Sequence, residues 1–479
     1  MNRTVPLILA VALFMENMDS TVIATSLPAI ATDIGTSPVA LKLALTAYLV
    51  SLAIFIPVSS WMADRYGAKR VFRTAIGIFV LGSVACAFSG SLAAFVLARF
   101  LQGVGGAMMT PVARLVLVRS TPKRELISAL AWLTIPALIG PMVGPPVGGF
   151  ITTFFSWHWI FIINVPIGIA GILLSSVFLP EVPPAGTGRI DTPGFVLSGL
   201  AAAGIVFGLS VVSLPALPPI VGVLAMLLGA AAAALYVRHA RRSPRPLLDL
   251  RLFGNPVFRT AIIGGALFRI GNGAVPFLLP LLLQLGFGMT PFQSGMLTFA
   301  TAIGAFAMKF LAPYTLRLGG FRTTLATTAV LSSLLIAANG LFTAQTPGFA
   351  IIAVLVTAGF FRSLLFTSVN ALVFADIEDK DASQATAIGA VAQQISIALG
   401  VAIGGGVLEA FAAWSGGALD PSAFTAAFVV IAAITGSSLF AFLTLSPTAG
   451  NAVSGHRLKD LQAVPQAGAG REAAVSRDP

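Results

Sequence analysis

Apolar runs separated by short polar or Pro/Gly breaks recur at 6–27, 40–62, 72–90, 93–118, 128–153, 158–179, 192–213, 217–237, 257–284, 291–314, 323–343, 347–373, 384–412 and 423–446. Most match the roughly 20 residues that a helix needs to cross a hydrocarbon layer about 30 Å thick. Lipid offers a peptide group no hydrogen-bond partner, so a run of this kind must satisfy its backbone internally as a helix. The pattern therefore predicts an all-α polytopic membrane protein with fourteen transmembrane helices, numbered here as spans 1–14. The first run carries Glu16 and Asp19 in its middle and has no small-residue cleavage site after it. It reads as span 1 and not as a signal peptide.

Composition removes the competing classes. Of 479 residues 57% are hydrophobic and 9% charged, against about 25% charged in a soluble domain. The net charge of +11 is a matter of sidedness. Arg65, Lys69, Arg70 and Arg73, then Arg119, Lys123 and Arg124, then Arg238, Arg241, Arg242, Arg245 and Arg251, then Arg317 and Arg322 all follow even-numbered spans. Loops after odd-numbered spans contribute essentially Lys42 alone. Basic residues near span ends stay in the cytoplasm, so both termini are expected there and no nucleic-acid partner is implied. Cys86 is the only cysteine, and His158, His239 and His456 are scattered. No disulfide, metal centre or cofactor is expected, and no Walker A pattern offers direct ATP drive.

An internal repeat divides the chain. Arg65, Gly67 and Arg70 align with Arg317, Gly319 and Arg322 at an offset of 252, and Gly140 and Gly144 align with Gly400 and Gly404 at an offset of 260. Eight spans separate the copies of the first motif. This predicts two pseudo-symmetric six-helix bundles, 1–180 and 255–446, with a two-helix insert at 190–238 (spans 7 and 8) between them and a disordered cytoplasmic tail over 447–479.

The polar residues inside the spans are the candidate site, because a charge at membrane depth faces the bundle interior or a wet cavity. Glu16 and Asp19 share one face of span 1, and a carboxyl withdrawn from water beside a like charge holds its proton more readily. Arg99, with Gln102 one turn on, needs an acceptor, and a carboxylate that meets it in only one conformation links protonation to geometry. The tight turn of Asp64, Arg65, Gly67, Lys69 and Arg70 is read as both a topology determinant and a gate, with Asp64 accepting from a helix N-terminus or an arginine across the bundle. Its second copy has Leu316 in place of Asp64. In span 5, Gly140, Gly144 and Gly148 form a stripe that admits a close neighbour, while Pro141, Pro145 and Pro146 bend the helix. This suits a seal between the halves. Arg269, with Asn272 one turn on, and Arg362 are deep cations, either partners of Glu16 or Asp19 or ligands for an anionic group of a substrate. Glu409 reads as a solvated rim residue.

Four ordered motifs also resemble a known family. Asp64-Arg65-Tyr66-Gly67-Ala68-Lys69-Arg70 resembles the helix 2–3 motif of the major facilitator superfamily. Asp19-Ser20-Thr21-Val22-Ile23 with Ser26-Leu27-Pro28 resembles the helix-1 motif of its fourteen-span drug:proton antiporter branch. Arg99 to Gly106 resembles the helix-4 motif, and Gly140 to Gly149 the helix-5 antiporter motif. The stretch Trp157 to Gly168 is similar to that branch's start of helix 6. The resemblance implies alternating access and a role for Arg99 in proton transfer. It implies a proton-coupled antiporter of the multidrug efflux type, exporting lipophilic small molecules from the bacterial inner membrane as a monomer. Some members carry an acid within helix 10 or midway along helix 13. Here 301–307 and 391–395 have none, which makes divalent cationic substrates a poorer fit than monovalent, zwitterionic or anionic ones. A proton-coupled symporter or uniporter is the transport alternative. A polytopic membrane enzyme would need a polar cluster at one membrane face, and the outer loops are nearly bare of one.

Overall fold

The computed structural model describes residues 4–122, 125–181, 190–214, 217–414 and 419–451. Lys123, Arg124 and the expected tail beyond 451 lie outside them. No strand occurs among the described residues. Among the described residues thirteen helices are long and apolar enough to cross a membrane, by length and composition.

In the first half, α1 (Thr4–Val22) passes through a tight turn into α2 (Leu27–Asp33), followed by α3 (Lys42–Tyr66), α4 (Ala68–Ala87), α5 (Leu92–Ser120), α6 (Leu126–Phe154), α7 (Trp159–Ile162) and α8 (Asn164–Phe178). Next come α9 (Thr192–Val211) and α10 (Pro219–Arg242). The rest is α11 (Pro256–Leu281), α12 (Pro291–Asn339), α13 (Gly348–Leu372), α14 (Ala382–Trp414) and α15 (Pro421–Leu443). Several starts are set by local chemistry: Ser91, Asp191, Asn255, Thr290 and Asp420 each cap the helix that follows with a side-chain oxygen. Proline stands at the start of α10, α11, α12 and α15, where its missing N–H costs nothing.

As one rod, the 49 residues of α12 would run about 74 Å at 1.5 Å per residue, over twice the hydrocarbon thickness. The backbone breaks at Gly320 (φ 63°, ψ 178°), a conformation essentially closed to other residues. Gly67 (φ 88°, ψ 129°) makes the matching break between α3 and α4. The repeat read from sequence pairs Gly67 with Gly319, but the turning residue is Gly320. The structural offset at this loop is therefore one residue longer than the sequence alignment.

The halves mirror each other in packing. A side chain at Gly140 would meet the backbone of Phe14 and Met18 at 2.8 and 3.1 Å, so α6 lies directly on α1. Gly400 meets Ile270 and Ala274 in the same way, placing α14 on α11. Helices α9 and α10 cross through four glycines, Gly204 and Gly208 against Gly229 and Gly222. Phe195 and Gly199 of α9 pack on Phe55 and Ile54 of α3. The expected tail starts at 447, yet Ala449 packs with Phe321 and Leu445 in the core of the second half, which extends that half to 451.

Contacts between the halves concentrate at one end. The Gln284 amide donates to the Thr25 carbonyl (2.9 Å) and the Phe292 N–H to Thr153 Oγ1 (3.0 Å). Gly149 approaches the backbone of Pro291, and Gly295 that of Pro145. One apolar cluster runs through both halves there, joining Val22, Leu27 and Val39 to Phe277, Leu281 and Phe424. At the other end the two clusters belong to separate halves, one around Phe72, Phe79 and Leu117, the other around Phe258, Phe321 and Leu365.

Candidate functional site

Five polar side chains from four helices meet in the first half, all at most 1% exposed: Asp19, Ser83, Arg99, Gln102 and Asn164. Arg99 Nη1 donates to Asp19 Oδ2 at 2.6 Å and to Gln102 Oε1 at 2.7 Å. Asp19 Oδ1 accepts from Gln102 Nε2 and Asn164 Nδ2, both at 2.9 Å. Asn164 also donates to Ser83 Oγ at 2.9 Å, and Ser83 donates to the Phe161 carbonyl at 3.0 Å. The guanidinium carbon of Arg99 lies 4.3 Å from the centre of the Tyr48 ring, a cation–π contact strengthened by burial. The Cys86 thiol, fully buried, donates to Gln102 Oε1 at 3.6 Å. Asp19 thus holds three donors, one of them charged, in a place water does not reach.

The local sequence explains the assembly. Gly82, Gly103 and Gly105 leave no room for a side chain: a Cβ at Gly82 would lie 2.6 Å from the Gln102 backbone, and one at Gly105 2.6 Å from the Ala75 carbonyl. The close α4–α5 approach that delivers Gln102 to Ser83 depends on Gly82 and Gly105, while Gly103 lets α5 lie on Tyr48 and Ser51 of α3.

Glu16 stands apart from its neighbour Asp19. It accepts from Thr110 Oγ1 at 3.0 Å and remains partly exposed. Asp64 pairs with Arg119 at 2.6 Å, tying the end of α3 to the end of α5. Lys69 meets the exposed Glu181 at 3.2 Å. Arg65 and Arg70 point to solvent, and Gly67 supplies the turn.

Three expectations change. The stripe Gly140, Gly144 and Gly148 does not face the second half; it packs on Phe14, Met18, Thr21 and Val22 of α1, while Gly149 and Pro145 reach across, to Pro291 and Gly295. Pro141 and Pro145 lie within an α6 that stays helical throughout. Glu409 is not a solvated rim residue, and Lys42 begins α3 and does not lie in a loop: Lys42 is fully buried, Glu409 is 8% exposed, and the two form an ion pair between α3 and α14. Lys42 Nζ also donates to Ser213 Oγ, just past α9, at 2.8 Å. A lysine and a glutamate 367 positions apart carry no spacing signal. Arg269 is not a partner of Asp19, which Arg99 occupies. Its Nη2 donates to Asn370 Oδ1 at 2.7 Å and its guanidinium lies 5.7 Å from the Phe366 ring centre. Asn272 and Arg362 are partly buried.

Asn164 and Ser83 were not singled out by sequence reasoning. The available signal was Asn164 itself, a lone amide in the apolar stretch Trp157 to Gly168.

Residues 9–401 match the model of the Major Facilitator Superfamily. The chain is 36% identical over 409 residues to the putative multidrug resistance protein MdtD of Salmonella heidelberg, covering 84% of this chain and 86% of that protein. It is 36% identical over 410 residues to the protein of that name in Citrobacter koseri, with the same shares covered. Its fold is similar to a POT family transporter solved with 5-aminolevulinic acid (TM-score 0.68, 15% identity, 93% of this chain and 96% of that one). It is also similar to a D-xylose–proton symporter (TM-score 0.66, 14% identity, 93% and 98%).

Proposed function

The chain belongs to the Major Facilitator Superfamily and is a multi-pass membrane transporter of small molecules, and from that premise we propose that it is a proton-coupled antiporter exporting lipophilic compounds across a bacterial inner membrane. The observation that carries this reading is the buried Asp19–Arg99 pair with its Gln102 and Asn164 donors. A proton and Arg99 compete for the same carboxylate. A proton arriving at Asp19 releases Arg99, whose charge must then find another acceptor, and the helices that hold the pair shift with it. Glu16, one turn away and partly exposed, is the relay between Asp19 and the opening.

The stretch 291–314 counts as the fourteenth crossing beside the thirteen, 190–238 as the two-helix insert, and 1–180 and 255–446 as the rocking halves. The basic ends of α3, α5 and α10 lie opposite the closed end, which supports the reading that the closed end faces outside and both termini face the cytoplasm. Asp64–Arg119 braces the cytoplasmic end of the first half, and Gly149 and Pro145 of the antiporter-like motif form part of the outer closure. The protein works as a monomer.

The test is proton movement in proteoliposomes under an imposed pH gradient, with cationic, zwitterionic and anionic lipophiles added to wild type and to Asp19→Asn. Dissipation by one class in wild type and none in the variant is expected. Substrate flux without proton flux would establish a uniporter instead.

A further inference from the structure

The charges inside the helices do not balance, and the excess lies in the second half. Asp19 is matched by Arg99, and Glu409 by Lys42, while Glu16 is held in the first half by the Thr110 hydroxyl. The other carboxylates of the second half lie at its ends: Asp376, Glu378, Asp379 and Asp381 before α14, and Asp420 capping α15. Arg269 is 1% exposed, and its Nε and Nη1 have no hydrogen-bond partner. The guanidinium turns back along α11 toward Gly265, where a Cβ would lie 2.7 Å from Nη1. Residue 265 is about 14 Å along a helix rising 1.5 Å per residue from Pro256.

Arg362, Phe366 and Asn370 fall on one stripe of α13 at four-residue spacing, and all three are partly exposed. Arg269 rests on two of them, Phe366 and Asn370. The stripe therefore presents an aromatic face flanked by two guanidinium groups and an amide, with two N–H donors unused. A buried cation without a counter-charge is costly, and a planar guanidinium fork matches a carboxylate.

We infer that Arg269, supported by Arg362, is a subsite for the anionic group of the transported molecule, which is a carboxylate carrying an aromatic or otherwise apolar body over Phe366. The inference rests on the reading of the chain as a transporter of lipophiles and not on its proton coupling.

The probes are 2-naphthoate, 2-naphthamide and 2-naphthylmethylammonium, which share one ring system and differ in charge. Binding to the purified full-length protein is measured calorimetrically at a single pH, with no gradient. Wild type is expected to bind the carboxylate about tenfold more tightly than the amide and the ammonium, the scale set by one charge-assisted hydrogen bond. Arg269→Gln brings the carboxylate-to-amide ratio near one, and Arg269→Lys keeps most of the preference. Equal binding of all three probes by wild type overturns the inference, as does a ratio that survives Arg269→Gln. Should Arg269→Gln fail to fold, Arg362→Gln decides: the ratio must fall about threefold, and an unchanged ratio rejects the subsite. Because the experiment imposes no proton gradient and reads only relative affinities, its failure is separate from failure of proton antiport in proteoliposomes.

Discussion

Removing either member of the Asp19–Arg99 pair leaves a charge in a site sealed from water. Arg99→Ala is expected to destabilise the protein by about 3–5 kcal/mol, read as a lower midpoint of thermal unfolding in detergent. The double variant Asp19→Asn/Arg99→Gln removes both charges and is expected to recover most of that stability while transport stays lost. A double variant no more stable than Arg99→Ala would show that packing and not charge holds the site. Part of this constellation was legible in the sequence, because a carboxylate and an arginine within apolar runs have few places to go but toward each other. Ser83 was not legible, because a serine is ordinary in a membrane helix, and Asn164 stood out only as a lone amide with no partner indicated; only the folded α4 and α8 bring them to Asp19. Lys42 and Glu409 were misread for a related reason. Each stands at a helix end, where sequence suggests solvent, and only the contact of α3 with α14 buries them.

Helices here are placed by absences of side chains. A valine at Gly140 would press on the Phe14 carbonyl and the Met18 amide, backbone that cannot yield as a flexible side chain would. Gly140→Val is therefore expected to cost about 1–3 kcal/mol or more by overpacking, with loss of folded protein on size-exclusion chromatography. Gly149→Val meets the other half instead, at Pro291. It should leave the first half intact and depress transport, and a variant transporting at the wild-type rate would remove Gly149 from the closure. Gly320→Ala places a Cβ at φ 63° and is expected to cost about 1–3 kcal/mol, measured by thermal unfolding beside Gly319→Ala as the control. That the chain is a set of apolar helices of membrane-crossing length was readable from hydropathy because lipid allows so few solutions. The partner of each glycine stripe was not, since a small-residue face says only that something approaches closely. The stripe in α6 turned out to serve its own bundle, and the step from Gly148 to Gly149 separates the helix's inner contact from its outer one.

The molecule as a whole is held shut at one end by a cross-bundle apolar cluster and by the Lys42–Glu409 pair, which also engages Ser213 beside α9. Breaking the pair leaves Lys42 buried without a counter-charge, so Glu409→Gln is expected to shift the population toward opening at this end. Spin labels at Ser37 and Thr343 should move apart, and labels at Arg70 and Thr323, at the opposite end, should approach. Unchanged distances would mean that the apolar cluster alone keeps the end closed. Such measurements usually begin by stripping a protein of its own thiols. Here the only one, Cys86, is sealed between α4 and α5 with no exposed surface. Maleimide should leave the folded native chain at its unmodified mass, and the natural sequence can carry introduced labels without first being altered at the position that touches Gln102.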